Sequence, residues 1–274
     1  MRLIRLVGLA VAAAALVGCG TAPTLQGARP ASAQNQQYGL AKSEVVARTD
    51  HMTQHLDDGK SIVYFQNQGG GGAGLGLLLG PLGVAANMKM IEGVTTGDVE
   101  KLKGHIRLNP EAALQQAAAA TSFALQQTSA TGGVNVTPYV LVSKTNDTTF
   151  NVSSIVLFEG VDGDKKWTRR YQYELPGRYT LDSLAAFTDA SSAELQSASV
   201  AAYAALLRHI ADEKDAAIAQ EKKITFTSAY MTPRFEFELM GSLVGEKDGR
   251  VWVRTVSGVT AVDPADIRYQ IARN

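Results

Sequence analysis

Residues 134–175 read VNVTPYVLVSKTNDTTFNVSSIVLFEGVDGDKKWTRRYQYEL, and this stretch decides the fold. Apolar and polar side chains alternate along 136–143, 148–158 and 167–175, with the period of two that is typical of β-strands. Residues 145–147 and 162–164 separate the three segments and are rich in the Asn, Asp and Gly that turns favour. The pattern therefore predicts a three-stranded antiparallel meander.

The third strand of this meander offers a candidate ligand face. Trp167, Arg169, Tyr171 and Tyr173 alternate in sequence, so a strand places them on one side of the sheet. Aromatic rings beside an arginine can stack on a glycan or contact a partner protein. The same rings also suit the cover of a hydrophobic core, and the sequence leaves both interpretations open.

Helices and further strands flank the meander. Asn109, Pro110 and Glu111 predict the start of a helix over 110–128, and Ser191 with Glu194 forms a capping box that opens the longest helix, to about residue 223. Alternation predicts strands again over 235–239, 250–256 and 267–271. The fold class is therefore α+β: an antiparallel sheet, made of the meander and the C-terminal strands, packed with two or three helices. The predicted body spans 38–274, with a second boundary near 223 before a small β module over 224–274.

An uncharged segment over 69–88 contains eight glycines in 20 residues. Gly72, Gly76 and Gly80 are four residues apart, so on a helix they would form one face that permits close backbone approach. This spacing resembles the glycine-zipper segments of some outer-membrane lipoproteins, and implies membrane contact or self-association. Pro81 and the short apolar length equally favour a buried helix over about 75–93, or a loop.

Two histidines precede this segment. On a helix, His51 and His55 would lie on one face, close to the carboxylates of Asp50, Asp57 and Asp58. These residues are candidate metal ligands, although a solvated loop explains them equally and no zinc-protease motif is present. No cofactor is predicted.

Composition limits the function classes. The chain has 26 basic and 26 acidic residues, and this neutrality argues against nucleic acid as a partner. A single cysteine excludes an internal disulfide. No nucleophile elbow, phosphate-binding loop or dinucleotide fingerprint occurs, so the sequence predicts a protein that is not an enzyme. A hydrolase ranks third, after the two functions given below, because two catalytic carboxylates can be distant in the sequence and meet only in the fold.

The first 20 residues have the features of an export signal. Arg2 and Arg5 precede an uncharged run over 6–17, which is too short to span a bilayer, and Leu16-Val17-Gly18-Cys19 follows. This order resembles the lipobox of bacterial lipoproteins. The resemblance implies cleavage after residue 18, acylation of Cys19, and a flexible tether over 19–37 that leads to the body. The alternative is an ordinary secretory signal in which Cys19 is incidental.

The resemblance also implies a location and a role. Gly20 stands where an aspartate favours inner-membrane retention in Gram-negative lipoproteins, so it implies the periplasmic side of the outer membrane. We therefore expect a lipid-anchored envelope protein that acts as an accessory, scaffold or interaction protein. Its expected partners are membrane lipid, through Cys19, and other envelope proteins. A small-ligand binder, for glycan or metal, is the alternative.

Overall fold

The structure, a computed structural model, describes residues 24–42, 52–66, 88–128, 132–231 and 238–272. Its strands are β1 Tyr38–Leu40, β2 Thr53–His55, β3 Ile62–Gln66, β4 Leu125–Gln126, β5 Val134–Lys144, β6 Phe150–Asp162, β7 Lys165–Glu174, β8 Lys222–Thr227, β9 Leu239–Lys247, β10 Arg250–Thr255, β11 Gly258–Val262 and β12 Arg268–Ile271. Its helices are α1 over 88–102, α2 Pro110–Thr121, α3 Leu181–Ala185, α4 Asp189–Asp212 and α5 Asp215–Ile218, and two 3-10 turns span Ala31–Asn35 and Pro264–Asp266.

All twelve strands belong to one mixed sheet, so the predicted antiparallel sheet is wrong. The order is β12-β8-β9-β10-β11-β7-β6-β5-β1-β4, with β3 beside the second half of β5 and β2 beside β3. The strands β5, β6 and β7 are consecutive antiparallel neighbours. Four other pairings are parallel: β1 with β4, β1 with β5, β3 with β5, and β11 with β7. Parallel partners come from distant segments of the chain, and local alternation does not reveal them.

The helices cover one face of this sheet. Tyr203, Leu206 and Ile210 of α4 pack with Leu114 of α2 and Phe158 of β6 in the largest apolar cluster. A second cluster joins α1 and α3 to β3 and β5, and a third lies among the C-terminal strands. The strands after residue 223 are continuous with the rest of the sheet, because β11 pairs with β7.

Local capping sets the helix limits. Asn109 accepts a hydrogen bond from the backbone of Ala112 (2.9 Å), as the sequence motif predicts. The long helix α4 begins earlier than predicted, because Thr188 accepts from the backbone of Ser191 (3.1 Å). It also ends at Asp212, well before 223, since Glu213 is extended and buried.

The segment before β1 lies against the body. The sequence predicts a flexible tether there, but Gln26 N donates to Thr255 O (2.9 Å), and its side chain bonds the backbone of Arg170 at both N and O (2.8 and 3.2 Å). Ala33 is fully buried in the largest cluster. Residues 24–37 are therefore part of the folded body, where they run across the junction of β7 and β11.

Candidate functional site

A cavity of about 410 Å³ lies between the C-terminal ends of α2 and α4. The docked N-terminal segment supplies Arg29, and β1 supplies Tyr38. Phe123 and Ser122 follow α2, and the end of α4 contributes the charged residues Arg208, Asp212, Glu213 and Lys214. The volume is in the range of small-molecule sites. The cavity therefore combines two aromatic rings with charges of both signs.

Arg29 is the buried cation of this cavity, with 8% of its surface exposed. Its guanidinium donates to the Tyr38 hydroxyl through Nη1 and to the carbonyl oxygen of Ile210 through Nη2 (2.6 Å). The carbonyl belongs to the last turn of α4, where a cation is favourable. The guanidinium also lies over the rings of Tyr38 and Phe158, at 5.4 and 5.6 Å from their centroids. These contacts fix Arg29 in one orientation.

Behind the cavity, Arg254 is buried between two glutamates. Its side chain is 1% exposed, and it contacts Glu213 (2.8 Å, Nη1 to Oε1) and Glu221 (2.9 Å, Nη2 to Oε1). Nη1 also donates to the backbone oxygen of Gln26 (3.0 Å). Because buried charges are costly unless paired, this arrangement fixes β10, α4, α5 and the N-terminal segment relative to one another.

Glu213 is also held by Tyr171, whose hydroxyl donates to Oε2 (2.6 Å). Burial alone would raise the pKa of Glu213, but the interactions with His209, Tyr171 and Arg254 outweigh burial and lower the pKa. Burial next to this carboxylate raises the pKa of Tyr171 well above its ordinary value. Glu213 is therefore an ionised carboxylate held by Arg254 and Tyr171, which suits it to holding structure in place rather than to accepting protons.

His209 joins this cluster to β9 and β10. Its Nε2 is 3.6 Å from Glu213 Oε1, and its ring lies 4.9 Å from that of Trp252. Lys247 Nζ lies 4.5 Å from the Trp252 centroid. Burial lowers the pKa of Lys247. These groups pack a cation and an imidazole against one indole ring.

A second polar cluster lies at the far end of β7. Glu174, 2% exposed, accepts from Asn151 Nδ2 (2.7 Å) and from the backbone of Asp263 (2.8 Å). Burial, together with the neighbouring carboxyl of Asp266, raises the pKa of Glu174 to about 8. Glu174 therefore keeps its proton in the folded protein at neutral pH.

The predicted ligand face on β7 is part of the core. Tyr171 is fully buried, Trp167 is 8% exposed, and both belong to the cluster beneath the helices, against which Tyr173 packs. The Arg169 guanidinium donates to the backbone oxygen of Ala28 (3.0 Å). The four side chains share a face, as alternation predicts, but the N-terminal segment and α4 occupy it.

The other predicted site residues have separate placements. His55 lies in the short strand β2, not on a helix, and burial lowers its pKa. His51, Cys19, Gly72, Gly76 and Gly80 lie outside the described residues. Within the described part of the chain, no group of three or more His, Cys, Asp or Glu side chains is arranged to hold a metal ion. Nor does any helix of those residues have the length and apolarity to cross a bilayer.

Sequence reasoning missed the residues that build the cavity and its support. Arg29 is the single charge of the predicted tether, and Arg254 interrupts the apolar run of β10. For Arg254 the available signal was a charged residue within an apolar strand, but its partners are 33 or more residues away in the sequence. In comparisons with protein-family models, curated proteins and solved structures, nothing matches this chain.

Proposed function

We propose that this chain is a lipid-anchored cell-envelope protein, held by acylated Cys19 on the periplasmic side of the outer membrane, where it acts as an accessory or interaction protein. The observation that carries the proposal is Leu16-Val17-Gly18-Cys19, which follows a short apolar run and contains the one cysteine of the chain. One acyl chain gives only marginal membrane binding, whereas several on one residue give stable anchoring.

The packing of residues 24–37 supports this proposal. The described part of the chain begins at Thr24, five residues after Cys19, and Thr24 is exposed. Cleavage after residue 18 would therefore remove none of the described residues, and Arg29 would stay in the chain. The lipid would hold this body close to the membrane surface.

The test is replacement of Cys19 by Ser in the full chain. We expect the parent protein to incorporate labelled palmitate and to float with outer membranes, and the Cys19→Ser variant to do neither. Gly20→Asp is the matched control, because it should keep the label but move the protein to the inner membrane. Membrane flotation of Cys19→Ser would contradict the proposal. Recovery of no crosslinked protein partner from membranes would also contradict the proposal, because an interaction role requires a partner.

A second candidate function is the binding of a small organic anion in the cavity. The half-buried ring of Phe123 offers apolar surface to a ligand ring, and Arg208 and Lys214 add positive charge around it. The three cations of the lining, Arg29, Arg208 and Lys214, outnumber its two carboxylates, and one of these, Glu213, is paired with Arg254. An aromatic ligand with one acidic group fits this combination better than a free metal ion or an uncharged sugar.

The probe for this second function is 8-anilinonaphthalene-1-sulfonate, an aromatic anion that fluoresces when it is shielded from water. We expect saturable binding to the Cys19→Ser protein, with at least a tenfold loss of affinity in Phe123→Ala and in Arg208→Gln. Arg107→Gln is the control, because Arg107 is exposed and lies near the opposite end of α4. Equal binding by all variants would contradict a site in this cavity.

A further inference from the structure

We propose that one end of the sheet rests on the lipid surface when the protein is anchored. This surface, the anchor end, consists of Val161, Lys165, Lys166, Met240 and Val256 with the backbone around them. The proposal rests on the acylation of Cys19 proposed above, and it assigns the surface a single partner, the headgroup region of a bilayer.

Only a short stretch of chain lies between Cys19 and Thr24. Five residue steps separate Cys19 from Thr24, and even fully extended they reach about 18 Å. Thr24 in turn is close to the turn between β10 and β11, because Gln26 N donates to Thr255 O (2.9 Å). Seven residue steps separate Cys19 from Gln26 and reach at most about 25 Å, so an acyl chain on Cys19 holds this turn within about 2.5 nm of the bilayer.

The sheet topology places the other residues of the anchor end at the same end of the sheet. Arg254 pairs with Ser242, so Val256, two residues further along, is level with Met240 at the start of β9. Gly258 lies against Arg170 of β7. From Arg170 the hairpin of β6 and β7 continues five residues to Lys165, about 16 Å at 3.3 Å per residue. The hairpin therefore projects beyond the β10–β11 turn at the same end of the sheet.

Three exposed apolar side chains lie at this end of the sheet. Six large apolar residues of the described chain are more than one-third exposed, and three of them are Val161 (47%), Met240 (63%) and Val256 (54%). They lie on different strands at one end, so a flat bilayer surface can contact all three at once. At the opposite end, the turn between β5 and β6 presents only polar side chains at 146–148.

The charges of the anchor end fit lipid headgroups. Lys165 and Lys166 are exposed on the hairpin, and Asp162 and Asp164 beside them balance their charge. A balanced surface needs no strongly anionic membrane, and it suits zwitterionic headgroups such as phosphatidylethanolamine. The three apolar side chains can enter the interface while the lysines stay at headgroup level.

The test uses new cysteines in the full acylated chain. Acylation consumes Cys19, so a cysteine introduced elsewhere is the one free thiol for an environment-sensitive nitrobenzoxadiazole label. Val256→Cys and Val161→Cys are the test positions, and Asp147→Cys, exposed at the opposite end, is the matched control. Each protein is placed in vesicles of phosphatidylethanolamine and phosphatidylglycerol, with and without lipids that carry a nitroxide near the headgroup.

We expect blue-shifted emission and at least twofold quenching by the nitroxide lipids at 256 and 161, and neither effect at 147. Equal quenching at all three positions, or none, would overturn the proposal. A blue shift at 256 without lipid quenching would overturn it too, because another protein copy would then cover the surface. Flotation of the labelled vesicles is measured first, so that failure of the anchor is recognised separately from failure of this orientation.

Discussion

Replacement of Arg254 by Met is the sharpest test of how the body is held together. The guanidinium is 1% exposed, and its partners Glu213 and Glu221 have 2% and 8% of their side-chain surface exposed. Methionine keeps much of the volume but leaves two carboxylates buried without their counter-charge. Breaking a buried pair in this way costs about 3–5 kcal/mol. We therefore expect the free energy of unfolding to fall by about that amount at pH 7.

The assay is urea denaturation of the Cys19→Ser protein, followed by circular dichroism. Arg107→Met is the matched control, because Arg107 and Asp189 form an ion pair at 2.9 Å with side chains 71% and 89% exposed. Such a surface pair contributes at most about 1 kcal/mol. A loss below about 1 kcal/mol in Arg254→Met, or equal losses in the two variants, would refute the buried network as a source of stability.

The pH dependence of the free energy of unfolding provides a second test of the Arg254→Met variant. In the parent protein the pKa of Glu213 is lowered, so its contribution to stability is present above its ordinary value of 4.5 and is lost as pH falls through the folded pKa. Without Arg254 part of what lowers that pKa is lost, so Glu213 takes up its proton at a higher pH in the variant than in the parent, and the variant gains stability relative to the parent as pH falls. The difference between parent and variant should therefore shrink from pH 7 to pH 4. A constant difference would contradict this assignment.

Three further predictions use the same denaturation assay. Gly258→Ala should lower the free energy of unfolding by about 2 kcal/mol or more, because φ is +145° and a Cβ would lie 2.5 Å from Arg170 O. The control Gly249→Ala, which has open space around it, should lower it by only about 1 kcal/mol, and similar losses in the two variants would contradict the close approach. Because the pKa of Glu174 is raised from 4.5 to about 8, the free energy of unfolding should decrease as pH rises between these values, by up to about 1.4 kcal/mol per pH unit. Glu174→Gln should flatten this slope, and an unchanged slope would mean that another group causes it. Gln26→Ala should cost about 1–3 kcal/mol, because it leaves the backbone N–H of Arg170 without its acceptor; a loss below about 0.5 kcal/mol would mean that water replaces the side chain.

The sequence predicted the elements that depend on local signals. Alternation along 134–175 predicted the strands β5, β6 and β7, and Asn109 with Pro110 predicted the start of α2. The turn at Asp248-Gly249 also follows from local chemistry, since both residues have positive φ. These features need only neighbouring residues, and so they are visible in one sequence.

The remaining features depend on contacts between distant parts of the chain. The pairing of β11 with β7 and the bond between Gln26 and Arg170, 144 residues apart, have no local signal. Residues 24–37 looked like a tether, because Pro, Gln, Ala and Ser dominate their composition. The cavity was missed for the same reason: Arg29 could be placed only once its segment was known to lie against α4.

The docked N-terminal segment has a mechanical consequence. The pairing of β7 with β11 has only three register pairs, and it joins the C-terminal strands to the centre of the sheet. Gln26 bonds to both sides of this joint, at Thr255 and at Arg170. A force applied through residue 24 would therefore load this joint directly, by way of Gln26. Tension on the N-terminal segment would pass to β7, near the centre of the sheet, rather than to an edge strand.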